Sequence, residues 1–416
     1  MTSVFIHNFG CRVNQAEAFD WADSLTEAGF SVVKDWRQAE LVVVNSCALT
    51  SRAEADVRQF VRRLSREAPG ARVVLTGCLV EKGLEELKNW PTIISTVPNS
   101  EKDRLADEVI KLLGGKTGSK VERKSYRSRA LIKVQDGCDS RCTFCIIPYL
   151  RGPSRSWPVE KIIEKVKRAA SLGYEELVLA GIHLCAYGQD LNPRTSLLEL
   201  LKELVALPEV HLLRLSSLDP RLMPDELLEF LASEKKICPH FHLSLQHASP
   251  EVLRKMGRKS SPEEYRALLQ FLREKKPEAS LGADIIVGFP GEGEEDYQYL
   301  KEFLSESPLT YFHVFSFSPR EGTPAAAWPP VEEKIKKLRS EELRKISREK
   351  NFRFKSSFSG QVLPAVVIRK EKEQAELLTA NYIKVKAAAL PELRPRQLVR
   401  VKITKVTSYS VEGVVA

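Results

Sequence analysis

The 416-residue chain contains no apolar run approaching the ~18 residues that cross a bilayer. Its start, Met1-Thr2-Ser3-Val4-Phe5-Ile6, has neither a basic region nor a cleavable apolar core, so no secretory signal is expected. No internal period points to a solenoid. These absences lead to the expectation of a cytoplasmic protein with no membrane partner, in a compartment where thiols stay reduced. Its eight cysteines are then metal ligands, catalytic groups or buried thiols rather than disulfides. The length allows two or three domains, each with its own core.

Net charge is also missing from most of the chain. Residues 1–330 carry 44 Lys+Arg against 45 Asp+Glu, whereas residues 331–416 carry 20 against 10. The whole +9 excess therefore sits in the C-terminal fifth. That asymmetry suits a polyanion-binding appendage on a neutral body, with a merely solvated basic surface as the alternative.

The pattern is α/β in two series, followed by short strands. Val4-Phe5-Ile6, Leu41-Val42-Val43-Val44 and Val73-Val74-Leu75 read as buried parallel strands, with helical patterns over Ala16 to Ala28 and Glu54 to Glu67. Residues 115–128, rich in Gly, Lys, Ser and Arg, read as a linker. Strand candidates then recur at Ala130 to Val134, Leu177 to Ala180, His211 to Leu215, Phe241 to Leu245, Ala283 to Val287 and Tyr311 to Phe317. Helical patterns such as Val159 to Leu172 and Ser196 to Leu207 separate them, so about six β/α units form a full or partly open barrel. A charged helix over Val331 to Asn351 leads to short β runs at Ala365 to Ile368, Tyr382 to Val385, Leu398 to Ile403 and Val411 to Val415. These fit a small closed barrel of the kind that often binds RNA.

Cys138, Cys142 and Cys145 fall within eight residues directly after a strand candidate. Three thiolates on one loop can hold three irons of a [4Fe–4S] cube and leave the fourth iron open for a ligand. Zinc would want a fourth Cys or His close by, and the nearest histidine is His183. Cys11, Cys47 and Cys78 each lie just beyond one of the first three strand candidates. In a parallel sheet those ends share one edge, so the three can converge on a second site.

The CxxxCxxC loop, with Phe144 before its last cysteine, resembles the cluster motif of the radical S-adenosylmethionine (SAM) superfamily. The resemblance implies that SAM chelates the open iron and is cleaved to a 5′-deoxyadenosyl radical, and it implies a partial β/α barrel. Gly10-Cys11-Arg12-Val13-Asn14-Gln15, Asn45-Ser46-Cys47, Thr76-Gly77-Cys78, Gln135-Asp136-Gly137-Cys138 and Cys145 to Gly152 are similar to segments of the methylthiotransferases. Asp284 to Glu292 and Gly322-Thr323-Pro324 continue the match, and Thr379 to Val385 resembles a TRAM domain. The fold expected is α/β throughout the body. It has an N-terminal parallel domain (1–118), a partial TIM-like radical SAM core (125–355) and a small TRAM β-barrel (356–416).

The family resemblance further implies two [4Fe–4S] clusters, on Cys11/Cys47/Cys78 and on Cys138/Cys142/Cys145, with the second generating the radical and the first handling sulfur. The partners implied are tRNA and an electron donor of flavodoxin or ferredoxin type. Gly288, Phe289 and Pro290 would lie near the SAM nucleoside. Phe144, Ser216, Gln246 and Arg258 would line the same pocket, with Arg258 facing the methionyl carboxylate and Arg214 beside them. Val13-Asn14-Gln15 looks like the MtaB branch, which acts on N6-threonylcarbamoyladenosine beside the anticodon. Leu245-Gln246-His247-Ala248 looks more like the RimO branch, which modifies a ribosomal protein, and the isopentenyladenosine branch (MiaB) is a third option. A non-catalytic iron–sulfur RNA-binding protein is the distant alternative. Lys384, Lys386, Arg394, Arg396, Arg400, Lys402 and Lys405, with Tyr382 and Tyr409, are the expected RNA contacts. Cys185 and Cys238, outside both trios, are expected to be packing thiols.

Overall fold

The computed structural model describes residues 2–83, 90–115 and 127–416, so the expected linker lies almost wholly outside the described residues. Two compact units emerge. The first comprises Met1–Arg127, Asp136–Ser140 and Cys145–Pro153; the second holds the remainder.

The first unit is built on a five-stranded parallel sheet. Its strands are β1 (Ser3–Asn8), β2 (Ser31–Val33), β3 (Leu41–Ser46), β4 (Arg72–Gly77) and β5 (Ile93–Val97), in the order β2-β1-β3-β4-β5. Leu41 to Val44 are buried on both faces, as a central strand covered by helices requires. On one side α1 (Arg12–Glu27) and α4 (Leu105–Leu112) set Trp21, Leu25, Leu105 and Val109 against Val4, Ile6 and Val43. On the other, α2 (Ser51–Glu67) presents Val57 and Leu64 to Val42, Val44 and Leu75. Thr50 opens α2 by accepting a hydrogen bond from the Ala53 N–H at 3.2 Å. The described residues of the unit also include the short helices α3 (Cys78–Glu81) and α5 (Ile147–Arg151). Strands β2 and β5 were not expected. One is only three residues long, and the other carries Ser95 and Thr96 in place of an apolar run.

The second unit begins with β6 (Ala130–Lys133), and β7 (Gln135–Asp136) and β8 (Arg155–Ser156) are two-residue strands nearby in the chain. β9 (Glu176–Ala180) and β10 (Leu212–Leu215) complete a parallel sheet ordered β10-β9-β6. β11 (His240–Gln246), β12 (Ser280–Val287) and β13 (Tyr311–Ser316) form a second parallel sheet, joined to the first through single bridges at Leu213–Ile237 and Leu218–Leu243. The six principal strands match the six expected, in a partial barrel. Its helices are α6 (Val159–Ser171), α7 (Leu197–Ala206), α8 (Asp225–Ser233), α9 (Pro250–Lys255), α10 (Pro262–Lys275), α11 (Glu294–Glu306) and α12 (Glu333–Ser356). Cys238 and Cys185 are both buried, and the Cys185 sulfur accepts from the Asp219 N–H at 3.2 Å. No helix among the described residues is long and apolar enough to cross a membrane.

The C-terminal strands β14 (Val362–Lys370), β15 (Gln374–Thr379), β16 (Lys384–Ala388), β17 (Leu398–Val406) and β18 (Val411–Val415) close a barrel in the order β14-β15-β16-β18-β17. Alternation sends Val385 and Ala387 inward and Lys384 and Lys386 outward. Strand β15 escaped the sequence pattern because it starts on polar Gln374 and Glu376.

This small barrel seats on the amino-terminal side of the larger one. Arg214 is buried, holds Glu176 through Nε at 2.7 Å, and donates to the carbonyls of Ala380 (2.9 Å) and Thr379 (3.3 Å). Tyr382 stacks on His240 with ring centroids 4.1 Å apart, and Asn381 donates to the Glu278 carbonyl at 3.3 Å. The Arg396 guanidinium lies 4.1 Å from the Tyr174 ring centre and bonds the Leu172 carbonyl. Three expectations are corrected here. Arg214 does not line a cofactor pocket, and Tyr382 and Arg396 are not displayed to RNA. All three spend their side chains joining the two barrels.

Candidate active site

The cysteines of the first trio sit at one edge of one sheet. Cys47 and Cys78 directly follow β3 and β4, and Cys11 follows the end of β1. Cys47 and Cys78 are buried and Cys11 is half-buried. The thiols act on one another electrostatically: Cys78 opposes ionisation of both Cys11 and Cys47. Burial is the larger cause, raising the Cys11 pKa and pushing that of Cys47 up to about 11, while Arg151 pulls both down.

A single buried amide organises this edge. Asn14 Nδ2 donates to the carbonyls of Phe9 (2.9 Å) and Ser46 (3.0 Å), which precede Cys11 and Cys47. Its Oδ1 accepts from the Cys11 thiol at 3.8 Å and from the Arg151 guanidinium. Ser46 Oγ donates to the Thr76 carbonyl at 2.6 Å and accepts from the Leu79 N–H at 3.1 Å, tying the Cys47 loop to the Cys78 turn. Gly10 adopts φ +92°, and a Cβ there would lie 2.7 Å from both Cβ and Sγ of Cys47.

Charged groups are buried beside the trio. Glu17 holds Lys102 at 2.7 Å and Arg151 at 3.2 Å, and Arg151 also reaches Asp136 at 2.7 Å. Burial works against the Arg151 charge, but Glu17 and Asp136 outweigh it and hold the guanidinium ionised. Arg151 lies within the family segment running from Cys145 to Gly152, so the sequence signalled it. Nothing in the sequence pairs Glu17 with Lys102, 85 positions away.

The second trio is carried by a loop whose parts are fixed differently. Cys138 donates its N–H to the Gly152 carbonyl at 3.1 Å, and its sulfur accepts from the Ser140 N–H at 3.4 Å. Gly137, at φ +70°, lies against the Pro153 carbonyl and leaves no room for a Cβ. Thr143 donates its N–H to the Met256 carbonyl (3.0 Å) and its hydroxyl to the Lys255 carbonyl (2.8 Å), and its own carbonyl accepts from Ala325 (3.0 Å). Among the described residues no three Cys, His, Asp or Glu side chains are grouped to chelate a single ion. A four-iron cube spaces its thiolates more widely than a single ion does.

The remaining expected pocket residues lie at the carboxyl ends of the second unit's strands. Phe144 meets Phe289 edge-on at 6.3 Å. Phe289 itself is fully buried against Met256, Phe317 and Trp328, and Pro290 is buried beside it. Glu292 accepts from the backbone N–H of Gly288 (2.7 Å) and Phe289 (3.3 Å) and is held by Arg339 at 2.6 Å, which fixes the turn. Ser216 Oγ accepts from the Gly181 N–H at 3.3 Å, and Gln246 ends β11 at φ +72°. Arg258 donates to the Ser244 carbonyl at 2.9 Å and approaches Asp219 at 3.4 Å, while its buried Nε has no protein partner. Sequence reasoning missed Asp219, which gathers Arg221, His183 and Arg258 in the same place.

On the small barrel, Lys384, Lys386, Arg394, Arg400, Lys402 and Lys405 are exposed, and Tyr409 is 98% exposed. They lie on several strands and loops of the barrel, with Lys384 beside Glu376 and Lys405 beside Glu412.

Residues 132–304 match the radical SAM superfamily, and residues 3–97 match a family described as uncharacterized protein family UPF0004. The threonylcarbamoyladenosine tRNA methylthiotransferase MtaB of Aquifex aeolicus is 37% identical over 96% of this chain and 100% of its own length. The enzyme of the same name from Thermotoga maritima is 35% identical, covering 87% and 85%. The ribosomal protein uS12 methylthiotransferase RimO of an Anaeromyxobacter species is 32% identical, covering 99% and 93%. Among solved structures, the radical S-adenosylmethionine methyltransferase TsrM from Kitasatospora setae superposes with a TM-score of 0.57 at 16% identity, covering 78% and 77%, a likeness of fold.

Proposed function

The chain belongs to the radical SAM methylthiotransferase family, and we propose that it converts N6-threonylcarbamoyladenosine, beside the tRNA anticodon, to its 2-methylthio derivative. The observation that carries this reading is the full-length similarity to enzymes named for that reaction, joined to two separate cysteine trios in one chain. We assign residues 1–118 to the methylthiotransferase domain, 125–355 to the radical SAM core and 356–416 to an RNA-binding TRAM domain.

In this reading Cys138, Cys142 and Cys145 hold one [4Fe–4S] cluster and Cys11, Cys47 and Cys78 hold a second. A cluster held there would, with SAM bound, supply the radical chemistry needed to break an unactivated aromatic C–H bond, which offers no acidic proton to an ordinary base. The chain's own residues then bind and orient. Asn14 and Ser46 set the three loops of the first trio, and the Arg151 cation offsets the negative charge that three thiolates bring into a buried site. Arg258, anchored on Ser244 and Asp219, faces the carboxylate of SAM, and the Gly288-Phe289-Pro290 turn borders the nucleoside. Lys and Arg on the small barrel hold the tRNA backbone. A flavodoxin- or ferredoxin-like donor supplies electrons in the cytoplasm.

The test is a reaction with the anaerobically reconstituted chain, SAM, reductant and an anticodon stem-loop carrying N6-threonylcarbamoyladenosine. The expected products are the methylthio nucleoside and 5′-deoxyadenosine, both lost in Cys142→Ala. 5′-Deoxyadenosine formed by Cys142→Ala would overturn the cluster assignment.

A further inference from the structure

Inside the second unit, the inner face of β11, β12 and β13 carries a polar group with no place in the chemistry above. Phe241, Leu243 and Leu245 alternate with it on β11 and are buried. His242 is fixed at both ring nitrogens, with Nε2 3.1 Å from Asp284 Oδ2 and Nδ1 3.3 Å from the Tyr311 hydroxyl. Tyr311 Oη also meets His240 Nε2 at 2.8 Å. The Tyr311 ring crosses Gly282, where any Cβ would collide with it. Asp284 and His313 are direct partners in the β12–β13 register.

The two ends of this group differ. His240 and Tyr311 close its deep end, against the Tyr382 stack. At the open end Asp284 is 29% exposed, and the His313 ring lies 5.7 Å from that of His242. His313 is solvent-exposed and makes no hydrogen bond among the described residues. Phe315, two residues further along the same face of β13, is 45% exposed and offers a flat apolar surface. The sequence therefore places a carboxylate and an imidazole side by side on a rigid sheet, braced from behind and open in front. Asp284 keeps acceptor capacity beyond its contact with His242, and the exposed His313 ring is open to a ligand.

We propose that His313 and Asp284, braced by His242 and Tyr311, bind the polar N6 substituent of the substrate adenosine. This rests on the reading of the reaction given above and names its specificity site. A threonylcarbamoyl group carries a carboxylate, a hydroxyl and ureido N–H groups. His313 donates to the carboxylate, Asp284 accepts from the hydroxyl or an N–H, and Phe315 lies against the base. An isopentenyl substituent has no polar atom and would cover His313 and Asp284 without replacing the water hydrogen bonds they lose. A site that hydrogen-bonds its substrate rejects the analogue lacking those groups by up to about 10⁴–10⁵.

The experiment compares kcat/KM of the reconstituted enzyme on two anticodon stem-loops, one with N6-threonylcarbamoyladenosine and one with N6-isopentenyladenosine. The wild type is expected to favour the first. His313→Leu and Asp284→Asn are each expected to cut that preference at least ~10-fold, with KM for the first RNA raised, and His313→Gln to restore part of it. Thermal unfolding and iron content identify any variant that has failed to fold, and His313→Gln then carries the comparison with a smaller loss. Unchanged preference in folded His313→Leu and Asp284→Asn overturns the inference while leaving the reaction intact. A wild type that thiomethylates neither RNA overturns the reaction itself, and this site with it.

Discussion

Arg151 and Glu17 meet at 3.2 Å in the buried heart of the first unit, each about 1–2% exposed. Both have further partners of opposite charge, so the network is balanced, and removing one member strands the others. Glu17→Ala should therefore destabilise the protein by about 3–5 kcal/mol, read as a lowered urea midpoint. Glu251→Ala, which breaks the exposed pair with Arg254, should leave the midpoint nearly unmoved. Equal effects would show that the network is not held in the folded state.

Gly10→Ala should damage the first trio without touching a ligand. Its left-handed backbone disfavours any Cβ, and the added atom would press on Cys47. The reconstituted variant is expected to hold about half the wild-type iron and sulfide, since only the Cys138/Cys142/Cys145 site would fill. Wild-type iron content would contradict the placement of a cluster at Cys11, Cys47 and Cys78.

Much of this arrangement was legible in the sequence. Leu41 to Val44 and the other short apolar runs announced the strands, and cysteines just beyond three of them implied a shared edge. Faces were harder. The run Tyr382 to Val385 was legible as β structure, but nothing local tells whether Tyr382 points to solvent or, as found, onto His240. Arg214 was legible as a strand residue near the pocket, while its carbonyl partners lie some 165 positions away in the chain. Glu17 and Lys102 gave no signal at all, because a buried ion pair between distant helices has no sequence period.

Arg214→Ala should loosen the small barrel from the larger one. It leaves the buried Glu176 carboxylate with Arg129 still beside it and removes two carbonyl contacts, at a cost of about 1–3 kcal/mol. Limited proteolysis is expected to release a C-terminal fragment from the variant sooner than from the wild type. Tyr409→Ala, by contrast, should leave the melting temperature alone and weaken tRNA binding by about 1–3 kcal/mol, the worth of one stacked base.

Asp219 gives an acid limb to stability. Burial opposes its charge, but hydrogen bonds from Arg221 and His183 and the nearby Arg258 outweigh that and hold its pKa well below the ordinary carboxylate range. A depressed carboxylate stabilises the fold above its unfolded pKa of ~3.9, and the contribution is lost as pH falls further. Wild-type stability should therefore drop below about pH 4 more steeply than that of Asp219→Asn. Parallel acid limbs for the two proteins would contradict the pairing.

The reaction proposed for this protein leaves its trace in one nucleoside. Mass spectrometry of tRNA nucleosides from cells with and without this protein tests it most directly. Loss of 2-methylthio-N6-threonylcarbamoyladenosine is expected when the protein is absent, with N6-threonylcarbamoyladenosine accumulating in its place. An unchanged tRNA profile, with a methylthio group missing from a ribosomal protein instead, would contradict it.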